Sequence, residues 1–377
     1  MQKMAGRVLE KLRTAGVPLL ADLPVHSRVH ALPAALFDAV PPTGRRFWVK
    51  RDDELGSVAA GGSKLRKYIS YLASAKARGV RGAVVLGGPQ SNNIPAAAAL
   101  LQQNGIRPSL CLRRPRAPAG RPEVAAPLPL PFVGNALLWQ PLVSAADVHW
   151  VPSDCPIDAM LVHASEVARR CATELGGAVD VLPEGANHAD AWAGALLLAD
   201  DVVANATAAV SGPAAMFDHI FVDAGTGLTA AALLAGLAVD GRWATGGPPI
   251  VHVVLVAGSP AAFSAQVEHG LERAAALLAL DAAQLRARLP AYRVHVPAVA
   301  GRSFGPGTAA VFATIAKTAR RAGLLLDPIY SGKLIAEVEH LLQQSTMLAG
   351  DILLIHSGGV PALFGFQNRL AAATAAL

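Results

Sequence analysis

Short apolar runs alternate along this chain with longer stretches whose apolar positions recur at helical spacing. Phe47-Trp48-Val49-Lys50-Arg51 reads as a strand, and Ala83-Val84-Val85-Leu86 has the all-apolar character of a strand covered on both faces. Further strands are predicted over 109–112, 147–151, 179–182, 220–223, 251–256 and 352–355. Helices are predicted after Ser63, over 95–104, from Asn135, and over 157–175, 192–209, 309–322 and 334–344, with another following Gly227. Pro95 suits a first helical turn, where its missing N–H has no partner to lose. Strand followed by helix, repeatedly, predicts an α/β fold with parallel sheets. Residues 1–45 show no clear periodicity and read as a lead-in. Residues 113–133 carry Pro115, Pro118, Pro122, Pro127, Pro129 and Pro131 and read as a surface loop at the mouth of such a sheet. A lid and a passive insertion both fit that loop. No repeat of fixed period is present.

Composition narrows the class. With 377 residues, 53% hydrophobic and 16% charged, the chain is compact and globular, large enough for two domains. The net charge of +6 is scattered, and the densest cationic patches, Arg113-Arg114-Pro115-Arg116 and Arg320-Arg321, lack interleaved aromatics. This argues against a nucleic-acid partner and leaves an attraction for anionic ligands. The charge-free stretch 224–239 is too short and too broken for a membrane span, and the N-terminus has no signal-peptide core. Cys111, Cys155 and Cys171 show no metal or redox spacing, so buried free thiols in a reducing cytoplasm are expected.

Candidate chemistry concentrates at strand ends. Gly61-Gly62-Ser63-Lys64-Leu65-Arg66-Lys67 pairs two permissive glycines with a helix start that Ser63 can cap. Lys64 would sit at the positive end of a helix dipole, where a protonated amine is disfavoured and a Schiff-base-forming lysine is at home. On the heptapeptide alone, a surface helix start with three solvated cations is the default reading. Gly225-Thr226-Gly227-Leu228-Thr229, between strand and helix, offers backbone N–H groups and hydroxyls for a phosphate. It meets neither the P-loop nor the dinucleotide pattern. Gln90-Ser91-Asn92-Asn93 lies at a strand's carboxyl end, where ligands of open α/β sheets bind, and suits either a carboxylate or simple helix capping. Tyr330, in a loop between helices, is an acid/base candidate, and Ser357 is another strand-end hydroxyl. His163, His188 and His356 have no ligand spacing, so no metal is expected.

Gly-Gly-Ser-Lys-Leu-Arg-Lys, Gln-Ser-Asn, Asp-Pro-Ile-Tyr-Ser-Gly-Lys and Ile-His-Ser-Gly-Gly-Val-Pro-Ala-Leu-Phe, with Lys50-Arg51-Asp52-Asp53 and Gly134-Asn135, occur here in a telling order. The chain resembles, over about residues 45–370, the pyridoxal-phosphate enzymes of the 1-aminocyclopropane-1-carboxylate deaminase/D-cysteine desulfhydrase family. The resemblance implies a tryptophan-synthase-β-like (type II) fold of two open parallel-sheet αβα domains. Residues 1–65 and 183–377 would form the larger, cofactor-binding domain and 66–182 a smaller inserted one. It implies a homodimer, a small amino-acid substrate and pyridoxal 5'-phosphate.

Residue by residue, the resemblance implies Lys64 as the Schiff-base lysine and Asn92 as partner of the cofactor's ring hydroxyl. Ser91 would face the substrate carboxylate, with Gln90, Asn93 and Phe304 beside the substrate. Residues Gly225, Thr226, Gly227, Leu228 and Thr229 would bind the phosphate, Tyr330 would be the acid/base, and Ser331 or Ser357 would meet the pyridine nitrogen. A neutral hydroxyl there would leave that nitrogen largely unprotonated, which suits expulsion of a β-leaving group. Four departures stand out: Ser63 for the usual Asn, Asn93 for a common His, Phe304 where a tyrosine is usual, and Ser331 where true deaminases have an acid. The last two count against cyclopropane ring opening. The function implied is α-proton abstraction and α,β-elimination to a keto acid and ammonia. Alternatives are β-replacement or another biosynthetic step, and a cofactor-binding regulatory protein without catalysis.

Overall fold

The computed structural model describes residues 6–38, 44–115, 133–210, 216–241, 247–297, 305, 307–344 and 348–376. Among them, the strands β1 (Val29–Leu32), β2 (Arg46–Arg51), β3 (Gly82–Gly87), β4 (Arg107–Arg113), β5 (Val148–Val151), β6 (Val179–Leu182), β7 (His219–Ala224), β8 (Ile250–Leu255), β9 (Tyr292–His295) and β10 (Asp351–His356) form two sheets. The larger has the order β1-β2-β10-β7-β8-β9 and the smaller β5-β4-β3-β6. Every pairing is parallel except β1 with β2. The parallel α/β expectation therefore stands.

Both sheets are covered on both faces, which is why their central strands are apolar throughout. The helices Trp192–Ala209, Leu228–Asp240 and Pro260–Leu278 pack one face of the large sheet around Leu196, Leu233 and Val253. Helices Ala309–Ala322 and Ser331–Gln344 pack the other around Phe312, Leu334 and Leu354. The small sheet is sandwiched by helices Lys64–Ala77 and Asn93–Gln103 on one side and Ile157–Leu175 on the other. Cys111 and Cys171 are buried and Cys155 is half-buried, all three as free thiols.

Several segments differ from expectation. The lead-in holds a helix, Arg7–Thr14, that buries Val8 and Leu12 and whose first N–H groups, of Val8 and Leu9, donate to Asp200 at 3.0 and 2.7 Å. That acid supplies from across the chain the N-cap that Gly6 lacks. The helices Pro260–Leu278, Ala282–Ala287 and Gln367–Ala375, and strands β1 and β9, are likewise additional. Of the Pro-rich loop, 116–132 lie outside the described residues.

On β7, β8 and β9, His219, His252 and His295 stand side by side and hydrogen-bond in series at 3.1 and 3.0 Å. Burial pushes all three below the ordinary imidazole range, His252 to about 3, so they are neutral at physiological pH. Among the described residues no cluster is arranged to hold a metal ion, and no helix is long and apolar enough to cross a membrane.

Candidate active site

Lys64 opens the helix Lys64–Ala77, as the sequence predicts, but the turn before it is held differently. Ser63 makes no capping bond; its hydroxyl donates to Asp52 at 3.3 Å instead. Its backbone N–H donates to the Ser357 carbonyl at 2.9 Å, which ties the lysine turn to the end of β10. Gly62 has φ +85, and a Cβ there would come within 2.5 Å of the Ser357 oxygen, so only glycine fits. Beneath the helix, Arg66 grips Asp52 with two bonds of 2.8 Å and reaches Asp201 at 2.6 Å, while Lys50 joins Asp201 at 2.5 Å. These four buried groups fix the helix start against both β2 and the helix Trp192–Ala209.

The Lys64 amine is enclosed, and burial lowers its pKa against the opposing pull of Asp223 and Asp327. Lys67, one turn on, donates to the Gly185 carbonyl at 2.8 Å and is lowered further by burial and by Lys64. It is not a solvated cation.

Gly225 to Thr229 form the turn between β7 and the helix Leu228–Asp240, whose first N–H groups have no partner within the helix. The Tyr330 ring lies against Gly225, where a Cβ would meet Tyr330 Cε1 at 3.1 Å. Across the cavity, Lys64 Nζ stands 5.7 Å from the centre of that ring. Asp327 builds the tyrosine loop: its carboxylate accepts the N–H groups of Ile329, Tyr330 and Ser331 at 2.9, 3.0 and 2.7 Å. The Ser331 hydroxyl also donates to Asp327, at 2.8 Å, and accepts from the Asp327 N–H. Burial, with Asp223 and Asp327 nearby, raises the Tyr330 phenol, so it stays protonated.

The tip at 90–93 splits in its duties. Gln90 and Asn135 brace each other, and the Asn135 amide donates to Asn92 Oδ1 at 2.6 Å. Asn93 is buried with its side chain accepting from the Tyr68 hydroxyl at 3.2 Å.

Lys64, Ser91, the whole of Gly225 to Thr229, and Tyr330 line one cavity of about 430 Å3. Asn92 lines a neighbouring cavity of about 500 Å3, with Asn135, Arg51 and Gly359. Gln90, Asn93, Ser331 and Ser357 line neither, and Phe304 lies outside the described residues. Lys67, Asp223, Arg113 and Glu184 line the first cavity without having been singled out from sequence, the last two as an ion pair. Asp223 was legible only as a charge ending an apolar strand.

These residues fit pyridoxal phosphate. The cavity has the size of a small-ligand site, a helix N-terminus for the dianion and an enclosed lysine with depressed basicity. Fold and cavity define a pyridoxal-phosphate enzyme of fold type II. Residues 33–358 match the family described as pyridoxal-phosphate dependent enzyme. A 1-aminocyclopropane-1-carboxylate deaminase from Allorhizobium ampelinum is 30% identical over 325 residues, 85% of this chain and 89% of that one. A D-cysteine desulfhydrase from Yersinia pestis is 29% identical over 328 residues, 87% and 90% of the two. The chain belongs to the 1-aminocyclopropane-1-carboxylate deaminase/D-cysteine desulfhydrase family. Among solved structures, an ACC deaminase homologue superposes with a TM-score of 0.75 at 23% identity, covering 98% of this chain and all of that one (100%). Threonine deaminase isoform 2 from Solanum lycopersicum gives 0.59 at 13% identity, covering 98% and 89%.

Proposed function

We propose that this chain is a lyase that takes a small amino acid, D-cysteine or a near relative, to a keto acid and ammonia by α,β-elimination. The observation that supports it best is the meeting of the Lys64 amine, the Tyr330 ring and the 225–229 turn in one cavity. Lys64 would hold pyridoxal phosphate through its amine, and the N–H groups and hydroxyls of Gly225 to Thr229 would hold the phosphate. Asn92 would meet the ring hydroxyl. When bound, the cofactor supplies a sink for the electron pair left at Cα.

The remaining steps belong to this chain's own side chains. Lys64, its pKa lowered by burial toward the free amine a base must be, takes the Cα proton. Tyr330, kept protonated by burial, donates to the departing β-group. Ser91, at the start of the helix Asn93–Gln103, binds the substrate carboxylate with the N–H groups beside it. Gln90 and Asn93 would shape that tip from behind. The larger domain, 1–65 and 183–377, would carry lysine, cradle and tyrosine, and the inserted 66–182 the carboxylate tip. The reading includes a cytoplasmic homodimer.

The purified protein should show the near-violet absorbance of lysine-bound pyridoxal phosphate, and borohydride should fix it to Lys64. A panel of D- and L-amino acids should then identify substrates through keto acid and ammonia release. A protein that stays colourless after cofactor addition would sink the reading. A coloured one that releases no keto acid would turn it toward β-replacement.

A further inference from the structure

The carboxyl of Asp223, at the end of β7, is a polar group in the cavity that the lysine–tyrosine chemistry does not use, and unlike Arg113 and Glu184 it has no ion-pair partner there among the described residues. It is 7% exposed, borders the same cavity as Lys64, and its Oδ2 has no hydrogen-bond partner. Around it stand the Ser357 hydroxyl and the charges of Asp327, Lys64 and His356. A buried carboxylate oxygen without a partner is the arrangement a protein avoids unless a ligand completes it.

The cofactor's own shape says which atom would complete it. In pyridoxal phosphate the aldehyde carbon and the phosphate arm occupy adjacent ring positions, and the ring nitrogen lies opposite the aldehyde carbon. With the aldehyde at Lys64, the phosphate at 225–229 and the ring hydroxyl at Asn92, the nitrogen is the polar atom left. A carboxylate is repelled by the phosphate and suits an N–H donor. The two hydroxyls expected from sequence border neither cavity, and Ser331 spends its hydrogen on Asp327.

We propose that Asp223, steadied by Ser357, accepts a hydrogen bond from the cofactor's ring nitrogen and keeps that nitrogen protonated. This rests on the cofactor reading above and revises one expectation within it. The acid that is Ser331 in the loop is supplied in space by a different strand. A protonated ring draws electrons more strongly than one facing a neutral hydroxyl. The chain is thereby equipped for substrates whose carbanion must persist, including those with a poor β-leaving group, and one objection to cyclopropane ring opening falls away.

The test uses holoenzyme loaded with pyridoxal phosphate labelled with 15N in the ring. The wild-type nitrogen should resonate on the protonated side from pH 6 to 9. Asp223→Asn should move it to the unprotonated side with Lys64 still carrying the cofactor, and Ser357→Ala should leave it protonated. Asp223→Ser repeats the measurement should the Asn variant fail to load. An unprotonated wild-type nitrogen, or an unchanged resonance in the loaded variants, overturns the assignment and makes Asp223 only a counter-ion of Lys64. A wild type that takes up no cofactor on Lys64 overturns the cofactor reading itself.

Discussion

Replacing Asp201 with asparagine removes one carboxylate from a buried set that is balanced two against two. Lys50, Asp52 and Arg66 are at most 1% exposed, and Asp201 accepts from Lys50, from Arg66 and from the Ser27 N–H at 3.0 Å. The variant leaves two cations facing Asp52 alone, an uncompensated positive charge in the core. Breaking a buried pair in this way costs about 3–5 kcal/mol. Burial already depresses Lys50, so it can shed its proton and hold the loss toward the lower figure. Urea unfolding of the apo-protein, followed by fluorescence and circular dichroism together, measures the loss. Adding Lys50→Met restores the charge balance, and the double variant should recover at least about 1 kcal/mol relative to Asp201→Asn alone. Arg66 lies two residues beyond Lys64, so Asp201→Asn should also retain cofactor poorly. A loss below about 1 kcal/mol, or a double variant weaker than the single one, would refute the view that this cluster is a charge-balanced anchor.

Lys64→Ala should abolish both the near-violet band and keto acid release while leaving the fold intact, as circular dichroism would report. Tyr330→Phe should keep the band and lower kcat by about 10²–10⁴-fold, the range of a lost general acid; unchanged kcat would remove Tyr330 from the proton path. Gly62→Ala places a Cβ against the Ser357 oxygen at φ +85 and should destabilise by roughly 1–3 kcal/mol, read as a lower melting temperature with weaker cofactor retention. His252 is held neutral down to about pH 3 in the fold but takes a proton near 6.5 when unfolded, so stability should fall as pH drops between those values, by up to about 5 kcal/mol from this group. His252→Phe should show a shallower decline between pH 7 and 4 in denaturant titrations, and an unchanged slope would mean that the histidine is solvated.

Much of the fold was legible because buried parallel strands must be apolar and their helices must alternate with them. The predicted spans 157–175, 179–182 and 192–209 coincide with Ile157–Leu175, Val179–Leu182 and Trp192–Ala209. What escaped lacks that logic. Strand β9 is a short edge carrying Arg293 and His295, and its place is set by β8 and the histidine series, which no local pattern announces. The helix Arg7–Thr14 depends on Asp200, a contact across 192 residues for its Val8 bond. Ser63 carried a capping residue's chemistry, but tertiary contact with Asp52 claimed it. Lys64, Tyr330 and the 225–229 turn were readable as motifs, whereas Asp223 became visible only when its unpartnered oxygen could be seen.

Of the strands described, β10 is the furthest along the chain, yet it lies between β2 and β7 in the middle of the larger sheet. Until residues 351–356 leave the ribosome, β2 and β7 each present an open hydrogen-bonding edge with no neighbour between them. The lysine turn also waits, because the Ser357 carbonyl that receives the Ser63 N–H arrives with the same strand. A growing chain therefore carries a gap at the centre of that sheet until residue 356 has emerged. That arrangement makes its closing step one of high contact order, slow and open to mispairing. A chain cut short before residue 351 would lack the centrepiece of its sheet, not merely a tail.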